Sequence, residues 1–224
     1  MKNFDIGPLP DAMDAAILEQ LALAEVATIG HWRRWGFVDR LIARLQPGPT
    51  IVGTAITVAV PSEDNSILHH ALSLIRPGDI LIVDRLGDTN VACYGGTINH
   101  AAKLRGAAAV IIDGPCTDVR EIRESGLPVW CRGSSGRTSR SRGFAGRLNV
   151  PISVGGAVVM PGDALLCDDD GVLVLPPCDV AEEASRAIAH QDRVSGFIPL
   201  LNEGQSLPDL NGASEKVLAG GTSQ

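Results

Sequence analysis

Between Ile51 and Cys131 the chain alternates short apolar runs with stretches of helical periodicity, and this alternation leaves few architectures open. The runs "IVGTAITVAV" (51–60), "DILIVD" (79–84), "AAAVII" (107–112) and "LPVWC" (127–131) read as strands. Residues 62–75, 95–105 and 118–125 between them read as helices. Strands that are apolar at nearly every position, rather than at every second one, have both faces covered. A strand–helix–strand succession then calls for a largely parallel sheet with right-handed crossovers. The expected fold class is α/β, with helices flanking a parallel-rich central sheet.

The flanks behave differently. From Asp11 to Ile29 apolar residues recur at helical spacing (Met13, Ile17, Leu21, Ala24), with Gly30 near the stop, and a shorter helix is expected around Phe37–Leu45. After residue 148, "VPISVGGAVVMPGDALLCDDDGVLVLP" sets short strands between Gly, Pro and Asp turns, which predicts a second β layer of hairpins. Within it, "DDDG" (168–171) lacks the alternate spacing of a calcium loop and reads as a hairpin turn. A helix from about Asp179 to Val194 precedes a polar tail expected to fray or to dock on a neighbour. No repeat or Pro/Gly/Ser-rich linker divides the chain. One domain over 1–224 is therefore expected, with N-terminal helices at about 11–45, a core at 50–178 and a C-terminal helix and tail at 179–224.

Charge and cysteine usage narrow the function classes. A net charge of −7 argues against broad binding to nucleic acid or anionic membranes. There is no apolar run of membrane-spanning length and no signal-peptide core in "MKNFDIGPLPDAMDA", so a cytoplasmic protein is expected. Cys93, Cys116, Cys131, Cys167 and Cys178 are scattered, without a Cys-x-x-Cys pair, and read as small core residues. His69 and His70 are adjacent, which on a helix points them about 100° apart and fails as a metal pair. Trp32, Trp35 and Trp130 read as packing residues of the core or an interface.

Ligands of parallel α/β sheets bind where strand C-termini meet helix N-termini. One such junction is Gly95-Gly96-Thr97-Ile98, where paired glycines open a helix. They either let bare N–H groups approach a carboxylate or phosphate, or only make a tight turn. The second is "DGPCTDVREI", in which Asp118 followed by Glu121 matches a capping box. Asp118 is thus either a helix cap or a carboxylate ligand for a hard divalent cation. A third feature is the loop 132–147, which gathers Arg132, Arg137, Arg140, Arg142 and Arg147 among Ser and Gly. It could receive an anionic substrate, a phosphate or an RNA backbone, be solvated, or make subunit salt bridges.

The blocks "IVGTAITV", "DNSILHHAL", "RPGDILIVD", "GDTNVACYGG", "AAKLRGAAAVIIDGPCTDVREI", "LPVWCRG" and "PISVGGAVVMPGDALLCDDDGVLVLP" occur in an order that resembles the 4-hydroxy-4-methyl-2-oxoglutarate aldolases and regulators of ribonuclease activity A, the RraA-like family. The resemblance runs from about residue 20 to 178. It implies a swivelling β/β/α domain assembled as a homotrimer or hexamer with active sites between subunits. It also implies a Mg²⁺- or Mn²⁺-dependent lyase that cleaves or decarboxylates small anionic 2-oxo acids derived from pyruvate, stabilising an enolate without a lysine Schiff base. The family signature, an acidic residue followed after twenty residues by Arg-Asp, falls here on Gly96, Thr117 and Asp118. Asp118 is then the metal residue and Gly95, Gly96, Thr97 and Ile98 the substrate-binding turn. Thr117 stands at the position of the catalytic arginine, where it supplies no charge. Arg120, one turn along the helix, or a loop arginine is the candidate replacement. The Glu that the family draws from a neighbouring subunit has Gln191 or Asp192 as its nearest counterpart.

Three readings follow from the resemblance. The first is a metal-dependent aldolase or decarboxylase of a 2-oxo acid. The second is a different metal-dependent reaction on another small acid in the same pocket. The third is a non-catalytic regulator that binds a ribonuclease or another protein, with no direct nucleic-acid or membrane contact.

Overall fold

The computed structural model describes residues 3–220. It begins with strand β1 (Phe4–Ile6), helices α1 (Ala15–Leu21) and α2 (Val26–Ile29) and the two-residue strand β2 (Ala43–Arg44). The alternating stretch becomes β3 (Ile51–Ala59), α3 (Ser66–Leu72), β4 (Asp79–Asp84), α4 (Gly96–Leu104), β5 (Ala109–Ile112), α5 (Val119–Ser125) and β6 (Val129–Cys131). Five short strands follow: β7 (Gly146–Leu148), β8 (Ile152–Val154), β9 (Ala157–Val159), β10 (Ala164–Cys167) and β11 (Val172–Leu175). Helices α6 (Val180–Ser195), α7 (Phe197–Asn202), α8 (Leu207–Leu210) and α9 (Ala213–Gly220) are the last described elements.

Strands β3, β4, β5 and β6 are parallel neighbours, as the alternation requires. Their side chains split by parity between two cores. Leu81, Val83, Val110 and Ile112 face Leu68, Ile98, Ala102 and Ile122 of the flanking helices. Ile80, Ile82, Ala109 and Ile111 face Trp130, Val154, Val159 and Leu165 on the other side. A third cluster joins Leu21 and Ile29 to Leu166, Leu173, Leu175 and Ala184. The fold is thus mixed α/β, with a multi-stranded sheet and flanking helices. Among the described residues no helix is long and apolar enough to cross a membrane.

The second β layer is divided differently from the expectation. β8 and β9 form a separate hairpin against the sheet, whereas the β10–β11 hairpin joins the main sheet by pairing β10 antiparallel with Ile51–Thr54. β7 pairs antiparallel with Val58 and Ala59 on β3 and parallel with β1. The "DDDG" turn does close a hairpin: the Asp168 carboxylate accepts from the N–H groups of Asp170, Gly171 and Val26 at 2.8–3.2 Å.

The single helix expected over 11–29 is two helices with a turn between them. Anchoring Val26 N–H on Asp168 bends the chain so that Leu21, Ala24, Val26 and Ile29 are all buried. Asp14 starts α1, its carboxylate accepting from Ala16 and Ile17 N–H at 2.8 and 3.2 Å. Asp14→Ala should cost about 1 kcal/mol and lower Tm by roughly 2–4 °C, checked by thermal unfolding. The helix expected at Phe37–Leu45 is absent. Its backbone is taken instead by sheet neighbours, with Val38 N–H on the Val172 carbonyl, Leu45 N–H on that of Val129 and Ala43–Arg44 paired to β6. The tail through residue 220 is folded into α7, α8 and α9, none of which buries a residue, and the rest of it lies outside the described residues. Four cysteines are buried as expected, whereas Cys178 is exposed. Trp130 is fully buried, while Trp35 is exposed.

Candidate functional site

Two loops leave the C-terminal ends of β4 and β5 and meet over the start of α4. Arg85 organises the first. Its buried guanidinium donates to the carbonyls of Val60, Pro61, Ser62 and Val91 and to the Asp88 carboxylate. Thr117 N–H donates to the Tyr94 carbonyl at 2.9 Å, tying the second loop to the first.

Asp118 then takes a left-handed backbone (φ 54°), a conformation that an L residue adopts at a cost. The capping box does not form, because the Asp118 side chain makes no bond to its own helix. This turn of the backbone aims the carboxylate across the loop, where Oδ2 accepts from Gly96 N–H at 2.9 Å. Among the described residues the next two N–H groups of α4, on Thr97 and Ile98, have no partner, as the first turn of a helix dictates. Glu121, also freed from the capping box, places its carboxylate in the space that a Cβ on Gly96 would fill. A Cβ on Gly95 would lie 2.5 Å from Asp118 Oδ2 and 2.7 Å from Thr117 Cγ2. The two glycines are therefore required for close approach, not for a positive φ.

A cavity of about 240 Å³ opens at this point. Gly95, Thr97, Ile98, Thr117 and Asp118 line one side; Asn65, His69, Thr138 and Ser139 line the other. Five of the seven residues singled out from the sequence thus share one cavity. Gly96 lies buried beneath it. Arg120 is exposed on α5, outside the cavity and without an ionic partner among the described residues. Gln191 and Asp192 line a separate groove beside the C-terminal helices, and Gln191 is engaged by Glu25 N–H and the Leu23 carbonyl.

Cys93 and Tyr94 also border the cavity, but burial holds both protonated; the Cys93 thiol is pushed up to about 11. His69 and Asp118 are the other ionisable side chains lining the cavity, and His69 Nδ1 lies 3.3 Å from Ser141 Oγ. On spacing alone, the adjacent His69 and His70 fail as a metal pair and Glu121 reads as half of a capping box. The block "DNSILHHAL" carried the first signal, whereas the placing of Glu121 follows from the Asp118 backbone and has no counterpart in spacing. The oxygen donors lining the cavity are those of Asp118 and Thr117, while the Glu121 carboxylate packs against Gly96. Among the described residues no three His, Cys, Asp or Glu side chains cluster as a metal cage. Such a sparse oxygen set suits a hard dication that keeps most of its waters.

The sequence model of the RraA-like family, described as Aldolase/RraA, matches residues 11–174. A Thermus thermophilus protein named 4-hydroxy-4-methyl-2-oxoglutarate aldolase is 34% identical over 114 residues, 51% of this chain and 69% of its own length. A Halalkalibacterium halodurans protein that bears the same name provisionally is 38% identical over 135 residues, 60% of this chain. The chain spans 64% of the length of that relative and 25% of Protein DlpA of Legionella pneumophila, to which it is 27% identical over 153 residues, 66% of this chain. Among solved structures, Streptomyces coelicolor RraAS2, described as an unusual member of the RNase ES inhibitor RraA protein family, superposes with a TM-score of 0.76 at 26% identity. That match covers 84% of this chain and 98% of the other.

Proposed function

The chain belongs to the RraA-like family, and from that membership we propose that it is an aldolase-type lyase releasing pyruvate from a small anionic 2-oxo acid, by aldol cleavage or decarboxylation. One observation carries the reading: the strained Asp118 backbone turns a carboxylate onto the open N-terminus of α4, inside a cavity of metabolite size. Mg²⁺ or Mn²⁺, when bound, supplies Lewis-acid chemistry. Asp118, with Glu121 beside it, would hold the cation. The free N–H groups of Thr97 and Ile98 receive the substrate carboxylate, favoured there by the helix dipole. The Thr117 hydroxyl offers a neutral donor where the family signature has a cation. His69, on the facing wall, gives or takes the proton that balances breaking of the C–C bond. The reading carries with it the family's trimeric or hexameric assembly and a cytoplasmic location.

The test is a lactate-dehydrogenase-coupled assay with oxaloacetate and 4-hydroxy-4-methyl-2-oxoglutarate, in Mg²⁺, Mn²⁺ or EDTA. Release above the spontaneous rate, abolished by EDTA, is expected; a folded protein that shows none sinks the reading. Gly95→Ala would press a Cβ against both Asp118 Oδ2 and Thr117 Cγ2 and should lower the rate about tenfold or more with Tm little changed.

A second reading is a regulator that binds a ribonuclease. It is favoured by the neutral Thr117 and by the near-complete overlap with an RNase ES inhibitor family member. Retention of a ribonuclease on the immobilised protein at physiological salt, by a chain inactive in the assay, would select it.

A further inference from the structure

The arginines of the 132–147 loop divide into two groups. Arg132 is paired with Asp113 and Asp39 at 2.5 and 2.8 Å, and Arg147 with Asp5 at 3.0 Å. Arg142 reaches Glu63 at 3.4 Å and lies over the Phe144 ring. Among the described residues the side chains of Arg137 and Arg140 have neither a carboxylate nor a hydrogen-bond partner. Their backbones are nonetheless fixed. Ala92 N–H donates to the Arg137 carbonyl at 2.8 Å, Arg140 N–H to that of Glu63 at 3.1 Å and Asn65 N–H to that of Arg140 at 3.1 Å. The two free guanidinium groups therefore stand on a held frame, not on a loose loop.

Arg137, Arg140 and Arg142 wall a concavity of about 200 Å³ with Glu63, Val91 and Thr138. Thr138 also lines the Asp118 cavity, so the two spaces share a wall. We propose that this concavity is an anion subsite, in which Arg137 and Arg140 bind a carboxylate or phosphate at the end of the ligand remote from Asp118. Three guanidinium groups face one carboxylate, and like charges held together on a fixed frame are relieved by an anion that accepts from both forks. A small anion suits the site better than a nucleic-acid strand. The chain's net charge of −7 opposes a long polyanion but is felt little across a Debye length of about 8 Å by a compact ligand. Only the identity of the ligand's other end rests on the reading of the Asp118 cavity as a reaction site.

Calorimetric titration of the full chain with inorganic phosphate and with succinate tests the subsite without any activity readout. Wild type and Arg147→Ala should bind the preferred anion alike, and Arg137→Ala/Arg140→Ala should weaken it by about tenfold or more. Tighter phosphate binding marks a phosphorylated ligand; tighter succinate binding marks a second carboxylate. Unchanged affinity in the double variant overturns the proposal. So does a double variant whose subunits separate at unchanged anion affinity, or one that loses binding of single-stranded RNA when neither small anion binds wild type. A wild type that binds the anion yet releases no pyruvate would sink the lyase reading and leave the subsite standing.

Discussion

Replacing Asp118 with Ala is expected to lower metal-dependent pyruvate release by about 10²–10³-fold while leaving the fold intact. The carboxylate does two things: it caps Gly96 N–H and it brings negative charge to the cavity. Asp118→Asn separates them, since an amide oxygen still accepts from Gly96 but carries no charge. Both variants should therefore be inactive; recovery in Asp118→Asn would mean that Asp118 serves only to shape the turn. Asp118→Gly adds a further check. It relieves left-handed strain of about 1 kcal/mol, offsetting the lost hydrogen bond, so Tm should stay close to wild type as activity disappears.

The largest expected effect on stability is at Asp64. Its buried carboxylate accepts from Ser66 N–H and Oγ at 3.0 and 2.5 Å, and from Arg142, Gly143, Phe144 and Ala145 N–H at 2.9, 3.3, 2.5 and 3.3 Å. Asp64→Ala leaves these donors, apart from Gly143 N–H, which also reaches Ser66 Oγ at 2.8 Å, without that acceptor and should cost about 3 kcal/mol, or roughly 6–12 °C in Tm. Because the same bonds hold the arginine loop in place, anion affinity should fall with it. Burial raises the Asp64 carboxyl, but the hydrogen bonds from Ser66 Oγ and from Arg142, Ser66 and Phe144 N–H reverse this and hold it well below its ordinary 3.8. The folded state thus binds its proton less readily than the unfolded chain. The stabilisation is complete above the ordinary carboxylate value and is lost as pH falls below 3.8 toward the folded value. Asp64→Asn should flatten that acid limb in unfolding measured against pH; an unchanged limb would show that other carboxylates govern it.

The parallel sheet was legible because β3, β4 and β5 are buried on both faces, and burial writes itself as uninterrupted apolar sequence. Phe37–Leu45 misled for the complementary reason. A short amphipathic stretch has no commitment of its own, and the edges of β6 and β11 claimed its backbone. At the site, the strand–helix junctions single out the two glycines and Asp118 but leave each open between a turn or cap and a ligand site, and the family resemblance supplies the choice. The direction of Asp118 could not be read, since a left-handed φ at a non-glycine residue leaves no mark on spacing. Glu121 and the two free arginines were hidden for the same cause: which charges find partners is decided by contacts between residues far apart in the chain.

One edge of β3 carries a consequence for how the chain reaches this state. That edge is completed by β7 at Val58–Ala59 and by β10 at Ile51–Thr54, segments that follow about ninety to more than a hundred residues later. On the ribosome, β3, β4, β5 and β6 can assemble while the outer edge of β3 is still uncovered. Pairings of such sequence separation are slow to form, and an open, apolar strand edge is a template for a second nascent chain. Soluble yield should then depend on how quickly residues 146–167 are delivered, so a translational pause placed before β7 would raise aggregation while one placed after β11 would not.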